Sequence, residues 1–460
     1  MAGISAVFSD DRSTLKTYNT LFQVHHRGQD SCGIAAAGDE SIRTYSGNGR
    51  MKKVLEGIIK SFAHPTDYAS IGYVGKEKDN EKNVPPIKME FEDYDISLAM
   101  DGMVLNSHKF DNQFNLKTPC DEELFGTIFY NHLRNTEDLD EAAYQTMKEL
   151  DKAYYSLVML VLDKNKKKTE FVGLRDKRGI KPMYTGINKN SLIVVSESGA
   201  VDYLERFLGN KMERRDVKPG EILVKSKDGF YSKQLLTPKR AECVFEWVYI
   251  SRPDAKMNGI ESHAVRKELG RSLARIHSDI IKDDGNTVVI PVPDSGRSVT
   301  TGIAKESGIF QDEGMIKNQY VARTFIISDP KKRSEDASLK HNPIESAVRG
   351  KRLVIGDDSI VRGTISENVS RILKGAGAEE VIYAVSYSPI IERCFEEPGK
   401  ELAAAKFKNL DFREIGIKLA ENLPSIDYVI YNDFDSVVKA IGIPKNQLCT
   451  YCISGENPFK

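Results

Sequence analysis

Two adjacent acids, Asp357 and Asp358, close an apolar run, Arg352-Leu-Val-Ile-Gly, and lead at once into Ser359-Ile-Val-Arg-Gly-Thr364. A buried strand that ends in paired carboxylates and turns through a short loop into a helix makes a polar pocket at the strand's carboxyl end. Open α/β sheets bind ligands there. Backbone N–H groups at the helix start, aided by its dipole, can cradle a phosphate. The carboxylates can hold ribose hydroxyls or a hard cation such as Mg²⁺. An isolated Asp-Asp turn would be no more than a solvated helix cap; the flanking strand and loop favour a site.

Thiols are the second chemically active set. Cys449-Thr-Tyr-Cys452 forms one C-x-x-C, and Cys243 and Cys394 stand far from it in sequence. A single C-x-x-C is commonly zinc, redox or chance. Six cysteines in 460 residues are too sparse for a disulfide framework. Cys32 reads as small-residue packing in the interior.

The elements that must position these groups fall into two patterns. Up to about residue 235, short apolar runs such as Asp95-Ile-Ser-Leu-Ala-Met100 and Ser156-Leu-Val-Met-Leu-Val-Leu162 alternate with turn signals. The charged run Lys164-Asn-Lys-Lys-Lys168 reads as a solvated hairpin turn. Amphipathic stretches at 122–133 and 141–150 complete a set that suits stacked antiparallel sheets with flanking helices. Beyond it, strand-like runs at 287–290, 352–355 and 380–385 alternate with helical segments at 264–281 and 366–376. That alternation predicts βαβ units around a parallel sheet. The expected division is 1–238 and 239–460.

Composition narrows the function. Lys and Arg number 66 against 67 Asp and Glu, a formal net charge of -1. That balance argues against a dedicated nucleic-acid binder or a polybasic membrane binder. No run approaches the roughly 20 apolar residues of a membrane span, and the start lacks a signal-peptide pattern. A cytoplasmic protein is expected.

The Asp-Asp loop resembles the phosphoribosyl-pyrophosphate (PRPP) motif of type I phosphoribosyltransferases. Its company is more specific: Phe245-Glu-Trp-Val-Tyr-Ile-Ser-Arg-Pro-Asp254, Val289-Ile-Pro-Val-Pro-Asp-Ser295 and Asn318-Gln-Tyr-Val-Ala-Arg-Thr-Phe-Ile326. Together they resemble the glutamine PRPP amidotransferase (amidophosphoribosyltransferase) family of purine synthesis over nearly the whole chain. The resemblance implies an α+β Ntn-hydrolase-like domain of stacked antiparallel sheets with helices, followed by an α/β type I phosphoribosyltransferase domain with a parallel sheet. It implies that Asp294 and Ser295 form a pyrophosphate loop and that Ser295, Asp357 and Asp358 lie near Mg²⁺. Ser359, Ile360, Val361, Arg362, Gly363 and Thr364 would take the 5′-phosphate. Residues 327–344 would be a lid, with Lys340 and Arg323 stabilising the departing pyrophosphate. Ser338 stands where family lids commonly carry an arginine.

The first half resembles the same family's glutaminase domain in His26-Arg-Gly-Gln-Asp-Ser-Cys-Gly-Ile34, Gly173-Leu-Arg-Asp-Lys-Arg-Gly-Ile-Lys-Pro182 and Ser196-Glu-Ser198. There a processed N-terminal cysteine attacks glutamine, its α-amino group acts as base, and an Asn-Gly pair forms the oxyanion hole. Read residue by residue, this chain lacks that chemistry. Ala2 replaces the cysteine, Gly75 the glutamine-clamping arginine, and Asp101 the oxyanion-hole asparagine; Gly102 and Asp121 are kept.

In some family members four cysteines in such contexts bind a [4Fe–4S] cluster. The resemblance therefore implies that Cys243, Cys394, Cys449 and Cys452 bind such a cluster, with zinc as the alternative. The function implied is a Mg²⁺- and PRPP-dependent glycosyltransferase that uses ammonia or another amine and lacks glutaminase activity. Two alternatives remain. One is a catalytically idle PRPP- or nucleotide-binding regulator, or a partner of an active homologue. The other is an ordinary glutamine-using enzyme carrying a deliberate change at Ala2. A homo-oligomer, tetramer or dimer, and a nucleotide effector are further expectations.

Overall fold

The computed structural model describes residues 1–110, 113, 114, 116, 117, 120–318, 341–396 and 401–460. The chain divides into two compact units. One is Met1–Cys243 with Ala255–Gly259 and Phe459; the other is Val244–Asp254 with Ile260–Pro458 and Lys460.

In the first unit, the run Ala153–Asp163 shows how the layers arise. Every residue of this strand is buried, and alternate side chains serve different cores. Tyr155, Leu157, Met159 and Val161 pack with Phe125, Phe129 and Leu133 of the helix Asp121–Thr136. Val158, Leu160 and Leu162 pack with Ile4, Phe8, Ile71 and Tyr73 of a second sheet. The far face of that second sheet is closed by Leu21 and Val24, which pack on Cys32, Ile34 and Val74. The result is two antiparallel sheets stacked between helices.

Among the described residues the second sheet has seven strands. Its order is Glu213–Asp216, Tyr184–Ile187, Ser191–Val195, Gly3–Ser9, Ala69–Gly75, Ser31–Ala37, Ile42–Asn48. The first sheet has six, and within it Tyr94–Val104 pairs with Ala153–Asp163 so that Asp101 faces Ser156. The helix Asp121–Thr136 opens on Asp121, Glu122 and Glu123, charges that complement its N-terminal dipole. The turn at Lys164–Lys168 is a hairpin between antiparallel strands, as its composition predicts.

The second unit is built on a parallel sheet in the order Thr287–Pro291, Arg352–Asp357, Glu380–Val385, Tyr428–Tyr431. Its strands are buried on both faces, as parallel sheets require. Leu353 and Ile355 pack with Val369 and Leu373 of the helix Thr364–Gly375. Val354, on the other face, packs with Leu273, Val299 and Ile303.

Two expectations shift. The helix predicted over 264–281 runs from Ser262 to Ile276. It ends because His277 leaves helical geometry and its Nε2–H donates to the Tyr431 carbonyl at 2.8 Å. The end of the predicted lid is strand: His341–Pro343 pairs antiparallel with Met315–Lys317. Among the described residues no helix is long and apolar enough to cross a membrane.

Candidate functional site

The Arg352–Asp357 strand delivers its two acids to the carboxyl end of the parallel sheet, where both are buried. Asp357 Oδ1 accepts hydrogen bonds from Ser295 Oγ at 2.8 Å and from the Asp358 amide at 2.9 Å. Its Oδ2 accepts one from the Tyr383 hydroxyl at 2.5 Å. Asp358 Oδ2 accepts from Ser359 Oγ at 2.6 Å. Among the described residues neither acid forms a salt bridge with a lysine or arginine. Burial, and then the neighbouring Asp357 charge, hold the Asp358 carboxyl well above the usual carboxylate range.

The loop from Ser359 to Gly363 reaches the helix at Thr364 with Gly363 at φ 82°, a left-handed conformation that glycine adopts without cost. No backbone N–H from 359 to 364 donates to another described residue. These donors lead into the N-terminus of the helix Thr364–Gly375. Asp294, beside Ser295 in the chain, is exposed and contacts Lys317 Nζ at 3.2 Å and Arg297 Nε at 3.6 Å. Thus Ser295, Asp357, Asp358 and the loop Ser359-Ile360-Val361-Arg362-Gly363-Thr364 belong to one end of one sheet. Arg323, Ser338 and Lys340 lie outside the described residues.

The first unit contains a second buried polar cluster, of opposite character. The Ala2 amide donates to Asp101 Oδ1 at 3.0 Å, and the Ala2 carbonyl accepts from Arg27 Nε at 2.9 Å. The Arg27 guanidinium also reaches Asp101 Oδ2 at 3.0 Å and Glu197 Oε1 at 2.8 Å. His26 Nε2 meets the same Glu197 oxygen at 2.8 Å, and Lys181 Nζ lies 3.5 Å from Asp101. Two cations, Arg27 and Lys181, therefore face two carboxylates, and all four side chains are at most 5% exposed. At Gly75 a Cβ would stand 2.0 Å from the Tyr73 hydroxyl, so Tyr73 occupies the space a longer side chain would need. A Cβ on Gly102 would meet the Tyr154 carbonyl at 2.1 Å. Asp121 accepts from the Val104 amide at 2.9 Å, and burial raises its carboxyl.

Four participants here, Arg27, Glu197, Lys181 and Tyr73, were not singled out from sequence. Three lie inside the quoted motifs, and charged residues held within those motifs were the signal that could have found them.

Cys394, Cys449 and Cys452 fall in the second unit, Cys243 in the first. Cys452 Sγ lies 3.1 Å from the Tyr387 hydroxyl, and burial pushes its thiol up to about 12, with Cys449 and Cys394 as further neighbours. Among the described residues no three His, Cys, Asp or Glu side chains converge as ligands of a single metal ion. Cys32 is fully buried in an apolar cluster, its thiol likewise pushed up to about 12.

Stacked antiparallel sheets between helices, joined in one chain to a parallel sheet ending in an Asp-Asp phosphate-type loop, define the class: an Ntn-hydrolase-type unit plus a type I phosphoribosyltransferase-type unit. No family model matches the chain. It is 32% identical over 489 residues to the amidophosphoribosyltransferase of Methanocaldococcus jannaschii, covering 100% of this chain and 98% of the relative. The Pyrococcus horikoshii enzyme of that name is 35% identical over 427 residues, covering 90% of this chain and 89% of its own. The solved structure of the B. subtilis glutamine PRPP amidotransferase, complexed with ADP and GMP, superposes with a TM-score of 0.86 at 27% identity, over 99% of this chain and 97% of that one. The chain belongs to the amidophosphoribosyltransferase family.

Proposed function

We propose that this chain transfers the phosphoribosyl group of PRPP to ammonia or another amine and does not draw nitrogen from glutamine. In this reading 1–238 is a glutaminase-like domain without activity and 239–460 is the phosphoribosyltransferase. The observation that carries it is the buried Asp101 carboxylate, hydrogen-bonded to the Ala2 amide and to Arg27 where the family places an oxyanion hole. An oxyanion hole needs hydrogen-bond donors, and a carboxylate that accepts bonds in that place supplies none. Ala2 supplies no nucleophile, and Tyr73 fills the space beside Gly75.

The donor side keeps its oxygen ligands by contrast. Ser295, Asp357 and Asp358 are oxygen donors, which suit Mg²⁺, and two adjacent buried acids without a described cation fit a site that receives one. Bound there, Mg²⁺ supplies charge neutralisation of the pyrophosphate. The N–H groups of 359–364 orient the 5′-phosphate. Asp357 and Asp358 hold the ribose hydroxyls, while Arg323 and Lys340 meet the negative charge that grows on the leaving pyrophosphate. An amine that arrives unprotonated attacks the anomeric carbon as the bond to pyrophosphate breaks, then loses a proton to solvent.

The same reading gives Cys243, Cys394, Cys449 and Cys452 to a [4Fe–4S] cluster of structural role. What supports it is that Cys449 and Cys394 are both neighbours of Cys452. Zinc, which four thiolates also suit, is the alternative. Iron and acid-labile sulfide in anaerobically purified protein would support the cluster; stoichiometric zinc would reverse the assignment. The reading includes a homo-oligomer of two or four chains and a nucleotide effector, both open to light scattering with and without purine nucleotides. The test of the activity is pyrophosphate release from Mg²⁺–PRPP. Release with ammonium but not glutamine supports the transferase, and PRPP binding without release under any amine supports an idle regulator.

A further inference from the structure

Three donors grip Asp357, and one comes from a strand that the acid motif does not include. Tyr383 is fully buried on the strand Glu380–Val385, whose register sets it beside Ile355. It is therefore the diagonal neighbour of Asp357, two places along on the same face. Its companions on that strand, Val381, Ile382 and Val385, are the aliphatic residues a doubly covered parallel strand ordinarily carries. A phenol placed there must bury a hydroxyl, which is costly unless the hydroxyl is bonded. Its bond goes to Asp357 Oδ2 at 2.5 Å.

The next strand offers the contrast. Tyr431, also buried, has a hydroxyl with no partner among the described residues. Of two buried tyrosines in one core, one grips the acid pair and the other does not.

We infer that Tyr383 is a positioning residue for the donor site: its hydroxyl fixes the Asp357 carboxylate in the orientation that presents the acid pair to Mg²⁺ and PRPP. Ser295 and the Asp358 amide occupy Oδ1, so among the described residues Tyr383 alone restrains Oδ2. This inference rests on the assignment of Asp357 and Asp358 to the PRPP site. Partners that orient a ligating carboxylate commonly matter about 10- to 100-fold in metal affinity or activity.

The test compares wild type, Tyr383→Phe and Tyr431→Phe by calorimetric titration of PRPP at fixed MgCl₂, with melting curves in parallel. Phenylalanine keeps each ring's packing and removes only the hydroxyl. Tyr383→Phe is expected to bind Mg²⁺–PRPP about 10- to 100-fold more weakly. It should need more Mg²⁺ for half-saturation and raise KM for PRPP more than it lowers kcat. Tyr431→Phe is expected to bind as wild type. Equal affinity of Tyr383→Phe and wild type would overturn the inference and leave the PRPP site standing. A matching loss in both variants would also overturn it, since the effect would then be general loosening of the core. Failure of the wild type to bind Mg²⁺–PRPP would overturn the site assignment and the inference with it.

Discussion

The two buried polar clusters of this chain differ in how their charges are answered. In the first unit, Arg27 and Lys181 stand against Asp101 and Glu197, and the Ala2 backbone completes the bonding. In the second, Asp357 and Asp358 lie side by side and receive only neutral donors from the described residues. A cluster whose charges are matched internally has little to offer a ligand. A cluster with adjacent, unmatched carboxylates is costly until a cation or a polar ligand arrives. Family membership alone does not distinguish these two; the local charge balance does.

The sharpest way to break this contrast is Asp358→Asn. It should lower PRPP-dependent turnover about 10²- to 10³-fold, the scale of losing one preorganised electrostatic group. The same change should stabilise the metal-free protein, because it removes a carboxyl held well above its ordinary range. The sign follows from proton binding. Between the ordinary carboxylate pKa and the raised folded value, the folded state binds more protons than the unfolded one, so stability falls as pH rises through that window. Melting curves across that window should show this fall in wild type and a flatter profile in Asp358→Asn. A variant that is both less active and less stable would contradict the account.

Arg27→Met tests the other cluster. Removing one partner of a buried ion pair leaves Asp101 and Glu197 short of a cation and should cost about 3–5 kcal/mol of stability. Chemical denaturation would read that loss, while ammonium-dependent turnover per folded molecule should stay near wild type. Loss of turnover without loss of stability would mean that the first unit still serves catalysis.

The smallest effect concerns thiol reactivity. In metal-free protein near pH 8, exposed Cys394 should be alkylated by iodoacetamide well before Cys32 and Cys452, whose thiols burial pushes up to about 12. Time-resolved peptide mass spectrometry gives the order. Labelling of Cys452 as early as Cys394 would contradict this order.

Much of this was legible in the residues because the signals are local. The run Arg352-Leu-Val-Ile-Gly-Asp-Asp-Ser-Ile-Val-Arg-Gly-Thr364 carries its strand, acids, loop and helix start within thirteen positions. The uninterrupted apolar stretch inside Ala153–Asp163 likewise announces a strand covered on both faces. The changes at Ala2, Gly75 and Asp101 were visible only against a motif, since an alanine, a glycine or an aspartate carries no signal alone. The partners of Asp101 were hidden for another reason: Arg27 meets Asp101 across 74 positions and Glu197 across 170. Tyr383 was hidden in the same way, because a tyrosine in an apolar strand reads as core until the neighbouring strand's register is known.

The most direct test is pyrophosphate release from Mg²⁺–PRPP by anaerobically purified protein, with ammonium and with glutamine in parallel, in wild type and in Ala2→Cys. The account predicts release with ammonium in both proteins and background release with glutamine in both, because Asp101 and Tyr73 remain in place when the thiol returns. Glutamine-driven release with matching glutamate production, in either protein, would contradict it.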